Sequence, residues 1–313
     1  MATGGTKAIL AAMAANAGIA VAKFVAYLVT GSASMLAESI HSVADTSNQG
    51  LLLLGGRRAR RLADDRHQFG YGRERYFWAF VVAMVLFALG GLFSIYEGVE
   101  KIRHPHEVES LGWAIGVLVF AIVAESLSFR TAIVEARTVK GRRSWWEFVR
   151  KSRSPELPVV LLEDAGALIG LVFALIGVGL AAITGNVVWD GIGTLAIGVL
   201  LVAISIVLTV EMKSLLIGEA ATEEHVTALV TAVERVSSVN RVIDLKTQHI
   251  GPEELLVAGK LEFDHSLTNP QLSDAIDEVE RSIREAVPLT SHIYLEPDLY
   301  DPGHPAEEEP PPH

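Results

Sequence analysis

The sequence predicts an all-α bundle of six membrane-spanning helices, followed by a small soluble α+β domain and an acidic tail. Three observations carry this reading. The 313 residues are 50% hydrophobic with a mean hydropathy of +0.36, too apolar for an ordinary soluble protein and too polar for a bundle alone. The apolar residues gather in six stretches, each of about the 20 residues that a bilayer requires. The charge is divided: residues 1–217 hold 20 Lys and Arg against 17 Asp and Glu, whereas residues 218–313 hold 6 against 20. Such asymmetry marks two different environments.

The six stretches are 8–30, 33–55, 76–99, 111–133, 158–183 and 188–210. The first begins after Lys7 like a secretory signal but runs on through Lys23, too long for a signal core, and is expected to be a retained span. Only Thr30-Gly31-Ser32 separates it from the second, which implies a tight hairpin. The loop after span two carries Arg57, Arg58, Arg60, Arg61, Arg66, Arg73 and Arg75. The loop after span four carries Arg137, Lys140, Arg142, Arg143, Arg150, Lys151 and Arg153. The turn Thr184-Gly185-Asn186 has no basic residue, and the loop after span three has Lys101 and Arg103 beside Glu107 and Glu109. By the positive-inside rule both basic loops and both termini are cytoplasmic, in a multi-pass protein of the cell membrane. Trp145 and Trp146, flanked by Arg142, Arg143 and Arg150, read as an interfacial amphipathic segment with affinity for anionic lipid, or else as a plain loop.

After Glu211-Met-Lys213 the pattern becomes amphipathic. Thr222 to Val236 reads as a helix, Val239 to Ile250 and Leu255 to Phe263 as strands joined through Gly251-Pro252. Asn269-Pro270 opens a second helix with Leu272, Ile276, Val279 and Ile283 as its stripe, and His292 to Leu295 reads as a third strand. The order α-β-β-α-β predicts a ferredoxin-like cytoplasmic domain. The expected division is 1–216 as the six-span part, 217–298 as the soluble domain, and 299–313 as a disordered tail rich in Glu and Pro.

Composition excludes several classes. An acidic soluble part opposes nucleic-acid binding, which needs Lys and Arg for the phosphates. No cysteine is present, so a metal must be held by N and O ligands. No His-Glu-x-x-His, Gly-x-Ser-x-Gly or phosphate-binding Gly-x-x-x-x-Gly-Lys-Ser/Thr occurs, so the chain is read as neither an intramembrane enzyme nor an ATPase, and no permanently bound cofactor is expected.

Span two holds the most informative pattern. Ser34, Glu38, His41, Asp45, Asn48 and Gln49 fall within an arc of about 100° of one helix. Ionisable groups there cost about 2.5–3.5 kcal/mol each on insertion scales, which makes them functional candidates. Imidazole and carboxylate together suit a borderline divalent metal. His41 and Asp45 are therefore read as ligands rather than a helix-joining pair. Asn16 and Lys23 of span one are either polar glue or counter-charge to this site. Glu125 and Asp190 are weaker candidates, with Asp190 either capping span six or serving at an external metal mouth. Glu97 and Glu100 read as solvated, and His67, His225, His249, His265 and His292 as surface or strand residues.

These residues have the look of a known family. Asn16 and Lys23, the run Thr30-Gly-Ser-Ala-Ser-Met-Leu-Ala-Glu38-Ser-Ile-His41-Ser-Val-Ala-Asp45, Phe69-Gly-Tyr-Gly-Arg-Glu-Arg75, Leu216-Ile-Gly-Glu-Ala220 and Tyr294-Leu-Glu296-Pro297 together resemble the cation diffusion facilitators over nearly the whole chain. The resemblance implies a homodimeric antiporter in the bilayer, expelling Zn2+ or a related divalent cation in exchange for protons, with the metal as substrate. It implies a four-ligand site between spans two and five: His41 and Asp45, then a histidine and an aspartate one turn apart. Span five reads Pro158-Val-Val160-Leu-Leu-Glu163-Asp164, so Asp164 fills the aspartate position and Val160 stands where the histidine belongs. Glu163, Glu38, Asn48 or water can supply the fourth ligand, with Glu38 otherwise supporting His41. A site richer in oxygen is less zinc-selective, which keeps Mn2+, Fe2+ and Co2+ open. The soluble domain lacks the histidine set that binds extra zinc in some members, and Lys260 stands near one such position. The alternative function is a non-transporting membrane scaffold or metal sensor on the same fold.

Overall fold

A computed structural model describes residues 3–30, 33–105 and 111–301. The chain divides into two compact units, Met1–Asp64 with Glu74–Lys213, and Asp65–Arg73 with Ser214–His313. The hairpin residues Gly31 and Ser32, the acids Glu107 and Glu109, and all of the predicted tail from residue 302 on lie outside the described residues.

The first unit is helical throughout. Its long helices are α1 (Thr3–Thr30), α2 (Ala33–Arg58), α3 (Glu74–Val85) continued by α4 (Phe93–Arg103), α5 (Leu111–Lys140), α7 (Glu156–Thr184) and α8 (Val188–Ile217), with a short α6 (Trp145–Lys151). Five candidate spans among the described residues are long and apolar enough to cross a membrane: Thr6–Val25, Glu74–Arg103, Ile115–Lys140, Glu156–Thr184 and Val188–Ile217. The remaining predicted span, α2, is a helix of 26 residues but is not among them. Its interior carries Glu38, His41, Asp45, Asn48 and Gln49 in place of apolar residues.

Helix α1 lies beside α2 and α5, α5 lies beside α7, and α2 lies beside α3. Ser39 of α2 donates to the Ala20 carbonyl of α1 at 3.0 Å, and the Glu135 carboxylate of α5 accepts from the Ala8 amide at 3.0 Å. Both bonds satisfy polar groups that lipid would leave unpaired.

Between α3 and α4 the helix widens into a π-helical stretch, Leu86–Leu92, which the sequence pattern did not signal. Its Gly91 faces α8 so closely that a Cβ would stand 2.6 Å from Val202. The antiparallel register continues with Gly98 against Leu195 at 2.6 Å and Gly198 of α8 against Ile95 at 2.6 Å. Small residues let membrane helices approach backbone to backbone, because lipid offers no hydrophobic drive for their association.

The tryptophan segment is helical. In α6, Ser144 accepts from the Glu147 amide as N-cap, Phe148 and Val149 are buried, and Trp145 and Trp146 are exposed. Lys151 beside Glu147 holds that carboxyl below the usual carboxylate range. The N-terminal ends of α3 and α7 are tied by a bidentate pair, Arg75 to Glu156, with one arm at 2.8 Å, and Tyr76 donates to the Arg153 carbonyl at 3.1 Å.

The second unit contains α9 (Glu223–Glu234), β1 (Val239–Gly251), β2 (Glu254–Phe263), α10 (Asn269–Ala286) and β3 (Thr290–Pro297). The order is the predicted α-β-β-α-β. β1 pairs antiparallel with β2, and β2 pairs parallel with β3 across the α10 connection. A parallel neighbour needs such a crossover. Burial alternates residue by residue along β2, so Leu255, Val257 and Leu261 face the core with Leu229, Val233, Val279 and Ile283 of the two helices. Thr268 and Gln271 form a capping box at the start of α10.

Residues Asp65–Arg73 belong to this unit although they precede α3 in the chain. Phe69 meets His292 edge-on at 5.2 Å, His67 stacks on Tyr71 at 4.4 Å, and a Cβ on Gly72 would stand 2.8 Å from the Ile250 carbonyl. His249, expected at the surface or in a strand, is a buried strand residue at 2% exposure. Lys260 lies 3.8 Å from both Glu296 and Asp298.

Candidate metal site

Helices α1, α2, α5 and α7 of the first unit bring charged and amide side chains into its interior. Helix α2 supplies Asp45, half-buried, and the buried Asn48 and Gln49. Helix α7 supplies Glu163 and Asp164, 6% and 1% exposed, just after a first turn of Leu157, Val159, Val160 and Leu161 that is wholly interior. Helix α5 supplies Glu125 and Ser128, 4% and 2% exposed, three residues apart and therefore on one face. Lys23 of α1 is buried among them.

The bonds between these groups are specific. Asn48 donates through Nδ2 to Glu163 Oε1 at 3.1 Å, and Gln49 through Nε2 to Glu163 Oε2 at 2.9 Å. One carboxylate on α7 is thus gripped by two consecutive amides on α2. Ser128 Oγ donates to Asp164 Oδ2 at 2.8 Å, tying α5 to α7. Glu163 interacts electrostatically with Asp45, Asp164 and Glu125, and Glu125 with Asp164, Asp45 and Lys23. Four carboxylates therefore share one low-dielectric interior, where an uncompensated charge is expensive. The amide oxygens Asn48 Oδ1 and Gln49 Oε1 are buried with no hydrogen-bond partner among the described residues.

Asp45, Glu163 and Asp164, all singled out in the sequence, therefore fall in one interior region. Glu38 and His41 lie on α2, but their side chains are outside the described residues. Among the described residues no group of three or more His, Asp or Glu stands ready to hold a metal. Val160, at the expected histidine position, is fully buried one turn before Asp164.

Three features escaped the sequence reading. Ser128 is one serine in an apolar run, and only the fold sets it against Asp164. Glu156, just before the predicted fifth span, has no signal in the sequence pattern for its pairing with Arg75. Asp190 pairs with Lys101 at 3.1 Å, while Asn186 Oδ1 serves the Val188 amide at the start of α8. For Glu125 the available signal was the i, i+3 spacing with Ser128 inside an apolar helix.

A bundle of long apolar helices with carboxylates in its interior, followed by an α-β-β-α-β unit, marks a polytopic membrane protein. Residues 9–217 match the cation efflux transmembrane domain, and the chain belongs to the cation efflux, or cation diffusion facilitator, family. The human "Proton-coupled zinc antiporter SLC30A9, mitochondrial" is 35% identical over 261 residues, which are 82% of this chain and 46% of that protein. The chain thus spans about half the length of that relative. The "Cation-efflux pump FieF" of Klebsiella pneumoniae is 24% identical over 289 residues, 90% of this chain and 89% of the pump. Among solved structures, the C-terminal domain of MamM in a nickel form covers 26% of this chain at 19% identity with a TM-score of 0.24, a likeness from which nothing is drawn. The relatives are transporters rather than enzymes, and this is a multi-pass membrane protein of a metal-transporting family.

Proposed function

We propose that this protein exports a divalent transition-metal cation, Zn2+ foremost, from the cytoplasm in exchange for protons. The observation that carries the reading is the cluster of Asp45, Glu163 and Asp164 inside the helical unit, against which Ser128 and two α2 amides are fixed. His41 and Asp45 from α2 and Asp164 from α7 bind the cation. Glu163 stands beside them on the Asn48 and Gln49 amides with lone pairs to spare, and Glu38 supports His41. Imidazole binds metal only when neutral, so metal and proton compete for the same atoms. Facing the cytoplasm, the site takes metal and releases protons; facing outward, it does the reverse. The named activity of the human relative, a proton-coupled zinc antiporter, supports the same cargo and coupling.

In this reading α2 is the sixth span, both termini are cytoplasmic, the protein works as a homodimer, and residues 217–298 form a ferredoxin-like domain. The α-β-β-α-β order with β2 parallel to β3 supports that last assignment.

Flux into proteoliposomes tests the function. Zn2+ should accumulate against its gradient when the lumen is acidic, with proton release outside, and collapse of the pH gradient by an ionophore should stop it. Undiminished accumulation would assign another driving ion. Metal binding without any flux would make the protein a sensor or scaffold.

A further inference from the structure

At one end of the helical unit, two exposed tryptophans stand beside basic residues where a membrane span stops. The candidate span Ile115–Lys140 ends at Lys140, and the next, Glu156–Thr184, begins at Glu156. Residues 141–155, with α6 among them, join the two. The junction is a bonded turn. Gly141 takes φ 59°, the left-handed conformation that commonly ends a helix. Arg143 donates to the Val139 carbonyl at 3.0 Å and to the Lys140 carbonyl at 3.2 Å, and Lys140 Nζ donates back to the Arg143 carbonyl. Lys140 Nζ also lies 5.1 Å from the centroid of the Trp145 ring. The indole is thereby held at the end of the span.

Helix α6 is also fixed to the unit. Phe148 and Val149 are buried, with the Arg143 guanidinium 5.8 Å over the Phe148 ring. Arg150 pairs with Glu211 at 3.3 Å and Lys151 with Glu147 at 3.1 Å, so the cations at the far end of α6 already meet carboxylates. Trp145 and Trp146 nevertheless remain 42% and 56% exposed. Arg137 and Arg142 are exposed beside them. Residues 136–146 hold Arg137, Lys140, Arg142 and Arg143 and no acidic residue. A plain loop would not be pinned in this way.

Indole and cation side by side suit the lipid headgroup layer. The amphipathic tryptophan ring concentrates at membrane–water interfaces. Basic residues next to a span attract anionic headgroups. We propose that the α5–α6 junction binds the anionic headgroups of the lipids around the bundle. The headgroup phosphates meet Arg137, Lys140 and Arg142, and the Trp145 and Trp146 rings enter the layer beside them. Arg143 is engaged by the α5 carbonyls and adds its charge. On the orientation proposed above, the lipids are those of the cytoplasmic leaflet, whose surface potential is negative. An acidic protein is the other partner that this charge suits, but the tryptophans stand at the end of a span, where lipid is already present. The proposal does not depend on metal transport, because its site uses none of the candidate metal ligands.

The test uses the full chain reconstituted in phosphatidylcholine bilayers that contain either brominated phosphatidylglycerol or the same fraction of brominated phosphatidylcholine. Bromine on the acyl chains quenches the fluorescence of tryptophans close to that lipid. The parent protein should be quenched more by the anionic lipid. Trp145→Phe with Trp146→Phe should remove the excess quenching, which identifies the tryptophans that report it. Arg137→Gln with Arg142→Gln, both at exposed positions, should lower the preference for anionic lipid by roughly fivefold per arginine. Raised salt should lower it as well, since it screens exposed charges. Equal quenching by the two lipids would overturn the proposal. If both quench strongly, the tryptophans lie in the interface without choosing a headgroup; if both quench weakly, they face water and are open to a protein partner. An excess that survives the double phenylalanine variant or the double glutamine variant would put the anionic lipid elsewhere on the protein and overturn it too.

Discussion

The two units differ in how much polar side chain they bury beside their apolar residues. In the helical unit the interior holds Lys23, Asn48, Gln49, Glu125, Ser128, Glu156, Glu163 and Asp164, while Val21, Phe24, Leu28, Phe120, Ile176 and Val199 face outward. In the second unit the interior includes Leu229, Val233, Leu255, Val257, Leu261, Val279 and Ile283, and its buried polar residues, among those described, are His249 and Thr290. The difference is one of solvent. Around the soluble unit, water rewards charge outside and drives apolar groups in. Around the helical unit, lipid is as apolar as any core, so burial of leucine gains little and polar groups turn inward to find one another. On the proposed function, polar burial in the first unit serves transport, and apolar burial in the second serves stability.

Removal of a buried polar side chain should thus affect activity in one unit and folding in the other. The largest effect is expected at the proposed cation ligands. His41→Ala, Asp45→Ala or Asp164→Asn should abolish metal flux in proteoliposomes while the protein still inserts and purifies as before, since loss of a costly buried charge does not harm a span. Flux retained in all three would dissolve the contrast between the units.

Arg75→Ala should break the rule from within the helical unit. It strands Glu156, at 7% exposure, without its bidentate partner. A loss of about 3–5 kcal/mol is expected from an uncompensated buried charge. Arg75→Met with Glu156→Leu should cost less than the single change. Denaturant unfolding in mixed micelles, run as a double-mutant cycle, reads the difference, and equal losses would mean that the pair is exposed in the folded protein.

In the soluble unit, Ile283→Ala leaves a cavity where the side chain was fully buried. The expected loss is about 2–5 kcal/mol. It should appear as faster amide exchange along β2 and β3, with the amides of α7 unchanged. A uniform loss of protection over both units would show them to unfold together.

The smallest effect is at the α10 N-terminus. Thr268→Ala removes the hydroxyl of the capping box and should cost about 1 kcal/mol, with no change in flux. A drop in flux would give this soluble helix a direct part in transport.

Local patterns in the sequence accounted for much of this protein. Hydropathy runs placed the long helices, because a bilayer sets a minimum apolar length. Strand-forming runs bounded by turn residues placed β1 and β2, and Thr222 and Asn269-Pro270 marked helix starts, because caps act within one turn. The arc of Glu38, His41, Asp45, Asn48 and Gln49 was legible because side chains on one helix share a face by spacing alone. Contacts between helices were not legible, since nothing local encodes which residue a side chain meets a hundred positions away. Only the tertiary structure put Asn48 and Gln49 on Glu163, Ser128 on Asp164, Arg75 on Glu156 and Lys101 on Asp190. Only it widened the helix at Leu86–Leu92 and grouped Asp65–Arg73 with the soluble unit. The period of a helix is a property of the chain, whereas the partner of a buried charge is decided by packing, which must bring opposite or hydrogen-bonding groups together wherever water is absent.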